Sequence, residues 1–323
     1  MVGIKDIARE AGVSIATVSN VLHGKRNMSD KTREKILAIA KELGYELPKI
    51  RIKEKSSENK TIVVNFSDFD TNFYLNILHG ISDYAYSKDY DIMVCTSRNA
   101  EKYMSDAYSA GCINIDYRCE DSMLIKAAEN NYPIIVLDRE INHSGIKSVI
   151  VNNYDAEKEM VETLIKSGYE RFAYLSGMDT DDNKERYRAF RDALSAHGIT
   201  FHRRDYYEGN WREKSGTQAA RLLMLSEHMP QVLLCANDMM AIGAMRKFKE
   251  AGLRVPEDIA VCGFDDAFVS KYMGLTTVEV PNYERGFLAA QSLVELIEGT
   301  GSYESLKIGA RIKWRNSALV KTS

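Results

Sequence analysis

The sequence predicts a small all-α head joined to a two-lobed α/β body of parallel sheets with crossover helices. Three observations carry this. Apolar residues recur at helical spacing through residues 4–43, a polar and charged stretch at 48–60 breaks the pattern, and short apolar runs then alternate with amphipathic segments. At 323 residues the chain exceeds the size of one hydrophobic core, so two or three domains are expected.

In the head, Ile4, Ile7, Ala8 and Ala11 fall at i, i+3, i+4, i+7, an apolar stripe on one short helix. Gly12 offers a tight turn, and the Ser14 hydroxyl can cap the helix that follows. On that second helix Val18, Val21 and Leu22 form the buried side, leaving Ala16, Ser19, Asn20 and His23 facing outward. A third helix starts near residues 29–30, buries Ile36, Leu37, Ala40 and Leu43, and stops at Gly44. Two short helices joined by a three-residue turn form a helix-turn-helix, whose second helix lies in the DNA major groove. An ordinary helical cap has the same periodicity, so spacing alone leaves both readings open.

In the body the apolar runs are 62–66, 92–95, 113–115, 134–137, 149–151, 172–175, 232–235 and 259–262. Amphipathic segments at 156–167, 186–197, 215–226, 240–251 and 285–299 separate most of them. This alternation specifies parallel sheets with crossover helices. Polar residues sit just past the runs: Asp138-Arg139, Ser176-Gly177, Asn237-Asp238 and Gly263-Phe264-Asp265-Asp266. In open α/β sheets that edge is where ligands bind. No glycine-rich dinucleotide fingerprint, phosphate loop, nucleophile elbow, metal-ligand cluster or acid–base pair occupies these turns. The six histidines are dispersed. The edge reads as built to hold a molecule rather than transform it, so no catalytic residue, metal or cofactor is expected, and not an enzyme.

The net charge of −3 conceals an asymmetry. Residues 1–60 hold 13 basic and 8 acidic side chains, leaving 30 basic and 38 acidic in the remainder. A basic head on an acidic body suits a protein that presents one end to phosphates. There is no secretory signal and no apolar run long enough for a membrane helix, and the five scattered cysteines read as small buried hydrophobes. A reducing cytoplasm fits.

The strings Lys5-Asp6-Ile7-Ala8, Ala11-Gly12-Val13-Ser14, Thr17-Val18-Ser19-Asn20-Val21-Leu22, Lys31-Thr32-Arg33-Glu34-Lys35 and Leu43-Gly44-Tyr45 strongly resemble the lactose-repressor (LacI/GalR) family of bacterial transcription regulators. The resemblance continues through residues 232–243, 256–266 and 275–278. It implies a periplasmic-binding-protein-like body, with a DNA-binding head at 1–46, a hinge at 47–60, and an effector-binding and dimerisation domain at 61–323. The first lobe would comprise about 61–151 and 281–308, the second about 152–280 and 309–323. The chain would pass between lobes near 152, 281 and 309.

For DNA, the resemblance implies backbone contacts from Ser14, Thr17 and Ser19, with Lys5, Asn27 and Lys31 nearby and His23 on the same outward side. Ile15, Ala16 and Asn20 match base-facing positions. Apolar Ile15 and Ala16 favour thymine methyl groups, and Asn20 favours adenine where the family commonly has arginine and reads guanine. The hinge departs from the family's alanine/leucine-rich segment. Ile50 or Ile52 could wedge into the minor groove, or the alternating Ile and basic residues could form an extended phosphate-contacting arm. Residues 98–111 are a second departure, a trimmed part of the first lobe.

For the ligand, the resemblance implies Arg188 as a clamp and Trp211 as an aromatic wall, with Asn237 and Asp265 as polar contacts. Asp138, Phe73 and Tyr74 come from the first lobe. Each has a plain alternative: a surface arginine for Arg188, a core tryptophan for Trp211, helix caps for Asn237 and Asp138. Asp266 reads as support for its turn. The set favours a sugar or sugar derivative, with a purine as competitor. The family implies a homodimer on an inverted-repeat operator, most often as a repressor. Rival readings are a regulator answering to a partner protein, a solute-binding protein of the same body fold, and an α/β enzyme with a DNA head.

Overall fold

The computed structural model describes residues 4–22, 30–43, 59–67, 73–96 and 100–320. The side chains of Ala16, Ser19, Asn20 and Lys31 lie outside that description, as do the expected DNA contacts His23, Asn27, Ile50 and Ile52 and the expected helix stop at Gly44. The chain divides into two units, 1–59 and 60–323.

The head consists of α1 (Ile4–Ala11), α2 (Ile15–Leu22) and α3 (Asp30–Glu42). Gly12 takes φ +68°, a left-handed value that glycine adopts without penalty. The Ser14 hydroxyl accepts the Thr17 amide N–H at 3.0 Å and so caps α2. Ile7, Ala8 and Ala11 meet Val18 and Val21 across the turn, and Ile36 and Ala40 of α3 close the core. Ile15 stays 49% exposed at the start of α2.

The body holds two parallel sheets. The larger has order β11-β5-β4-β3-β1-β2, built from β1 (Thr61–Phe66), β2 (Asp91–Thr96), β3 (Gly111–Ile115), β4 (Ile134–Val136), β5 (Ile146–Val151) and β11 (Leu306–Ile308). Ile62, Val64 and Phe66 of β1 face α4 (Phe73–Ser87) and α12 (Asn282–Glu298), while Val63 joins the opposite layer with α6 (Asp121–Glu129). Both faces are covered, which is why these strands read as unbroken apolar runs. Helices α4 and α12 cross almost backbone to backbone: a Cβ on Gly80 would lie 2.0 Å from the Tyr283 carbonyl oxygen, and one on Gly286 would lie 2.0 Å from that of Ile77. Ile77, Ile81 and Leu293 are fully buried at this crossing, each contributing about 1.5–3 kcal/mol.

The smaller sheet has order β7-β6-β8-β9, from β6 (Phe172–Ser176), β7 (Tyr206–Glu208), β8 (Val232–Cys235) and β9 (Ala260–Cys262). Around it lie α7 (Asn153–Lys166), α8 (Asp181–Ala196), α9 (Glu213–Leu223) and α10 (Asp238–Glu250). Strands β10 (Thr277–Glu279) and β12 (Arg311–Lys313) pair antiparallel. Consecutive elements change sheet between β5 and α7, between β10 and α12, and between β11 and β12. Among its described residues, the stretch between β2 and β3 carries one helical turn, α5 (Ala100–Tyr103). Four cysteines are buried, Cys95 is half-buried, and all five are free. Burial pushes the Cys95 thiol up to about 11 and that of Cys119 to about 12.

Candidate ligand crevice

The C-terminal ends of both sheets face a crevice between the lobes. Tyr117 of the first lobe donates from its hydroxyl to the Met178 sulfur of the second at 3.4 Å. Lys307 of β11 pairs with Glu185 of α8 at 3.3 Å. A recess of about 300 Å³ opens between Asp138, Ile150 and Val151 on one side and Asp182, Glu185 and Arg188 on the other.

Asp138 follows β4. One of its oxygens meets the Arg139 guanidinium at 2.7 Å, and Arg139 also reaches Asp121 at 2.7 Å. The other oxygen is buried and has no hydrogen-bond partner among the described residues. Burial, with the field of Asp182 added and Arg139 opposing, holds the Asp138 carboxyl up at about 6.

The arginine beside Asp265 is Arg186, while the expected clamp Arg188 lines the recess. The Thr180 hydroxyl caps α8, and six residues on, Arg186 turns inward. Its Nε donates to Asn153 at 3.0 Å and Nη1 to the Ala236 carbonyl at 2.6 Å, while Nη2 stands 3.6 Å from Asp265. The guanidinium lies 3.7 Å above the Phe264 ring and 6.0 Å from Trp211. Two residues along a helix is a rotation of about 200°, so Arg188 points elsewhere. It is exposed, stacks on Tyr154 at 4.9 Å, and lines the recess with Asp138 and Asp182. The sequence carried the signal: Arg186 continues the buried stripe of Ala189, Phe190, Ala193 and Leu194, and Arg188 does not.

Trp211 is half-buried and adopts φ +68°. Its ring covers Gly177, where a Cβ would come within 2.1 Å, so only glycine lets the indole lie flat there. Asn237 serves as a helix cap. Its Oδ1 accepts the Met240 N–H at 3.0 Å, and its Nδ2 donates to the Trp211 carbonyl at 3.0 Å. The amide is therefore engaged within the protein, and it positions the tryptophan.

Asp265 and Asp266 occupy left-handed backbone, at φ +109° and +49°. Asp238 anchors this turn: its buried carboxylate accepts from the Ala267 N–H, the Ser270 hydroxyl and the Thr277 hydroxyl. Asp266 turns away to pair with Arg315 at 2.7 Å. Asp265 faces Arg186, yet burial outweighs that cation and lifts its carboxyl to about 7. Behind Arg186, burial lifts Glu157 of α7 to about 8.

Tyr74 packs into its own lobe, stacked on Phe66 at 4.7 Å with its hydroxyl 2.6 Å from that of Ser67. Phe73 meets it edge-on and stays half-buried. Sequence reasoning missed Asn153, Asp182, Arg186 and Arg285. It also missed a buried network in the first lobe, where Asn65 donates to Asn114 at 2.8 Å beside Asp116. Among the described residues no cluster of three or more His, Cys, Asp or Glu could hold a metal ion. No helix among them is long and apolar enough to cross a membrane.

Residues 3–47 match the family model described as bacterial regulatory proteins, lacI family, and residues 161–318 match the periplasmic binding protein-like domain. The probable HTH-type transcriptional repressor ExuR of Bacillus subtilis (strain 168) is 32% identical over 308 residues, covering 92% of each chain. The lac repressor dimer bound to operator and the anti-inducer ONPF superposes with a TM-score of 0.74 at 27% identity, covering 99% of each chain. The transcriptional regulator CelR in its cellobiose complex gives 0.74 at 26% identity, covering 98% of this chain and 100% of that one.

Proposed function

The chain belongs to the lacI family of bacterial regulatory proteins, DNA-binding transcriptional repressors with an effector-binding body, and from that premise we propose that its crevice takes a sugar or sugar derivative whose occupancy sets operator affinity. One observation carries the reading. A flat aromatic face, Trp211, and a buried arginine–carboxylate pair, Arg186 and Asp265, stand together in the second lobe, with an unpartnered carboxylate oxygen of Asp138 in the first. An indole packs on the C–H face of a pyranose, and carboxylates accept from its hydroxyls. A ligand touching both lobes stabilises the closed arrangement by the difference between its affinities for the two states. The CelR complex with cellobiose supports a carbohydrate in a body of this fold.

The head reads an inverted repeat as one of a pair, in the cytoplasm, through Lys5, Ser14, Ile15, Ala16, Thr17, Ser19, Asn20, His23, Asn27 and Lys31, with Ile50 or Ile52 of the hinge at the minor groove. The crevice holds its ligand without transforming it. A purine is the second reading, since Trp211 could stack on a base and Asp265 accept from a ring N–H. Isothermal calorimetry against neutral sugars, sugar phosphates and nucleobases tests the proposal. Saturable binding of a sugar that is lost in Arg186→Lys supports it; binding of nucleobases alone contradicts it.

A further inference from the structure

The recess of about 300 Å³ stands apart from the arginine–tryptophan wall: none of Arg186, Trp211 and Asp265 lines it. Asp181, Lys184, Glu185 and Arg188 fall at i, i+3, i+4, i+7, so they share the face of α8 that borders it. The first lobe supplies the facing wall, with Glu140 two residues beyond Asp138, Ile150 and Val151 at the end of β5, and Lys307 of β11. Most charges on these walls are engaged within the protein. Lys307 pairs with Glu185 at 3.3 Å, Lys184 with Asp179 at 3.0 Å and with Asp181 at 3.8 Å, and Arg139 with Asp138 at 2.7 Å. Asp182 accepts from Asn153 at 2.8 Å, and the second oxygen of Asp138 is buried.

Two exposed groups of opposite charge remain, one on each lobe: Arg188 and Glu140. Among the described residues neither makes an ion pair or a hydrogen bond, with the other or with any third group. Arg188 is nonetheless held in place. Its guanidinium lies 4.9 Å from the Tyr154 ring, and the Tyr154 hydroxyl donates to Asp192 at 2.8 Å. A guanidinium laid on an aromatic face keeps its N–H edges available for a carboxylate.

We propose that this recess is a second ligand site, separate from the wall of Arg186, Trp211 and Asp265, and that it takes a small zwitterion whose carboxylate meets Arg188 of the second lobe and whose ammonium meets Glu140 of the first. The methylene chain between the two charges packs on Ile150 and Val151. A volume of about 300 Å³ holds a molecule of amino-acid size. A ligand with one charge satisfies one wall and leaves the other unmatched, so the recess selects for both charges at once. Because its two contacts belong to different lobes, the zwitterion stabilises the lobe arrangement that sets Arg188 and Glu140 at its own span. This site stands whether the effector at Trp211 is a sugar or a purine.

The test uses the full-length protein with isoleucine methyl labels and methyl NMR. The Ile150 methyl, identified by its loss in Ile150→Val, reports the recess. The probes are glycine, β-alanine, 4-aminobutyrate and 6-aminohexanoate, which set the two charges progressively further apart, with butyrate and butylamine as single-charge controls. At least one zwitterion should shift the Ile150 methyl saturably at concentrations up to about 50 mM. It should bind about 5-fold or more tighter than either control, and Arg188→Gln and Glu140→Gln should each weaken it by about 5-fold. Both residues are exposed, so these variants fold. Arg186→Lys should leave the zwitterion's affinity unchanged. No saturable shift from any of the four zwitterions overturns the proposal, as does equal affinity for a single-charge control. Affinity retained in full by either glutamine variant, or lost in Arg186→Lys, overturns it too. Failure of sugars to bind counts against the effector reading alone and leaves these outcomes as they are.

Discussion

Replacing Asn237 by alanine separates a helix cap from a ligand contact. The side chain is 7% exposed and makes two hydrogen bonds, from the Met240 N–H and to the Trp211 carbonyl. Losing an N-cap costs about 1 kcal/mol, and losing the second bond about 1 kcal/mol more. The sum of about 2 kcal/mol corresponds to a Tm lower by about 4–8 °C for a unit of this size. Asn237→Ser retains an oxygen that can cap α10 but cannot reach the Trp211 carbonyl, so about half the loss should return. Thermal and urea melts followed by circular dichroism measure the stability, and Trp211 emission should shift in both variants as its backbone anchor is lost. An alanine variant that melts with the wild type and yet no longer binds effector would refute the reasoning, because the amide would then be serving the ligand.

The two arginines of α8 should part company: Arg186→Ala leaves Asp265 buried without its partner and should cost about 3–5 kcal/mol, whereas exposed Arg188→Ala should stay within about 0.5 kcal/mol, as read from parallel urea titrations. Glu157 is held at about 8 by burial against an ordinary value near 4.5, so the stability it contributes is present in acid and is lost as pH rises toward 8. Glu157→Gln should therefore match the wild type at pH 4.5 and be the more stable protein at pH 8; the same melting point for both at each pH would count against a neutral buried Glu157. In the head, Asn20→Arg should move the preferred base from adenine to guanine at one position of each half-site, and an unchanged preference in a binding-site selection would remove Asn20 from base reading.

The alternation of apolar runs and amphipathic stretches made the parallel sheets legible, because buried parallel strands have no polar face to hide. Helix starts were less so. The segment read as 186–197 begins at Asp181, and that read as 156–167 begins at Asn153. In both, the first turn is polar because its residues cap the helix or hydrogen-bond inside the protein: Asn152 accepts from the Asp155 N–H, Thr180 from the Asn183 N–H, and buried Asn153 donates to Asp182. Strands β7, β10, β11 and β12 are three residues each and carry charged or polar side chains, so no apolar run announces them. Of the candidate ligand residues, Asp138 and Asp265 follow from their places just past apolar runs, whereas Trp211 came only through the family resemblance because no such run marks β7 before it. Whether Asn237 caps or binds was undecidable from sequence, since both roles want the same amide at the same spot. Arg186 was readable from helical phase. Arg285 was not, because its partners, Leu137 and Val149, lie more than a hundred residues away.

The central claim is that crevice occupancy controls the grip on operator DNA. The most direct measurement takes a duplex selected from random sequence by the full-length protein and determines its Kd with and without the sugar identified by calorimetry, for the wild type and for Arg186→Lys. We expect an inverted-repeat duplex whose Kd changes by about 10-fold or more on saturation in the wild type and not in the variant. A Kd indifferent to a sugar that demonstrably fills the crevice, or no preference for any inverted repeat, would contradict the account.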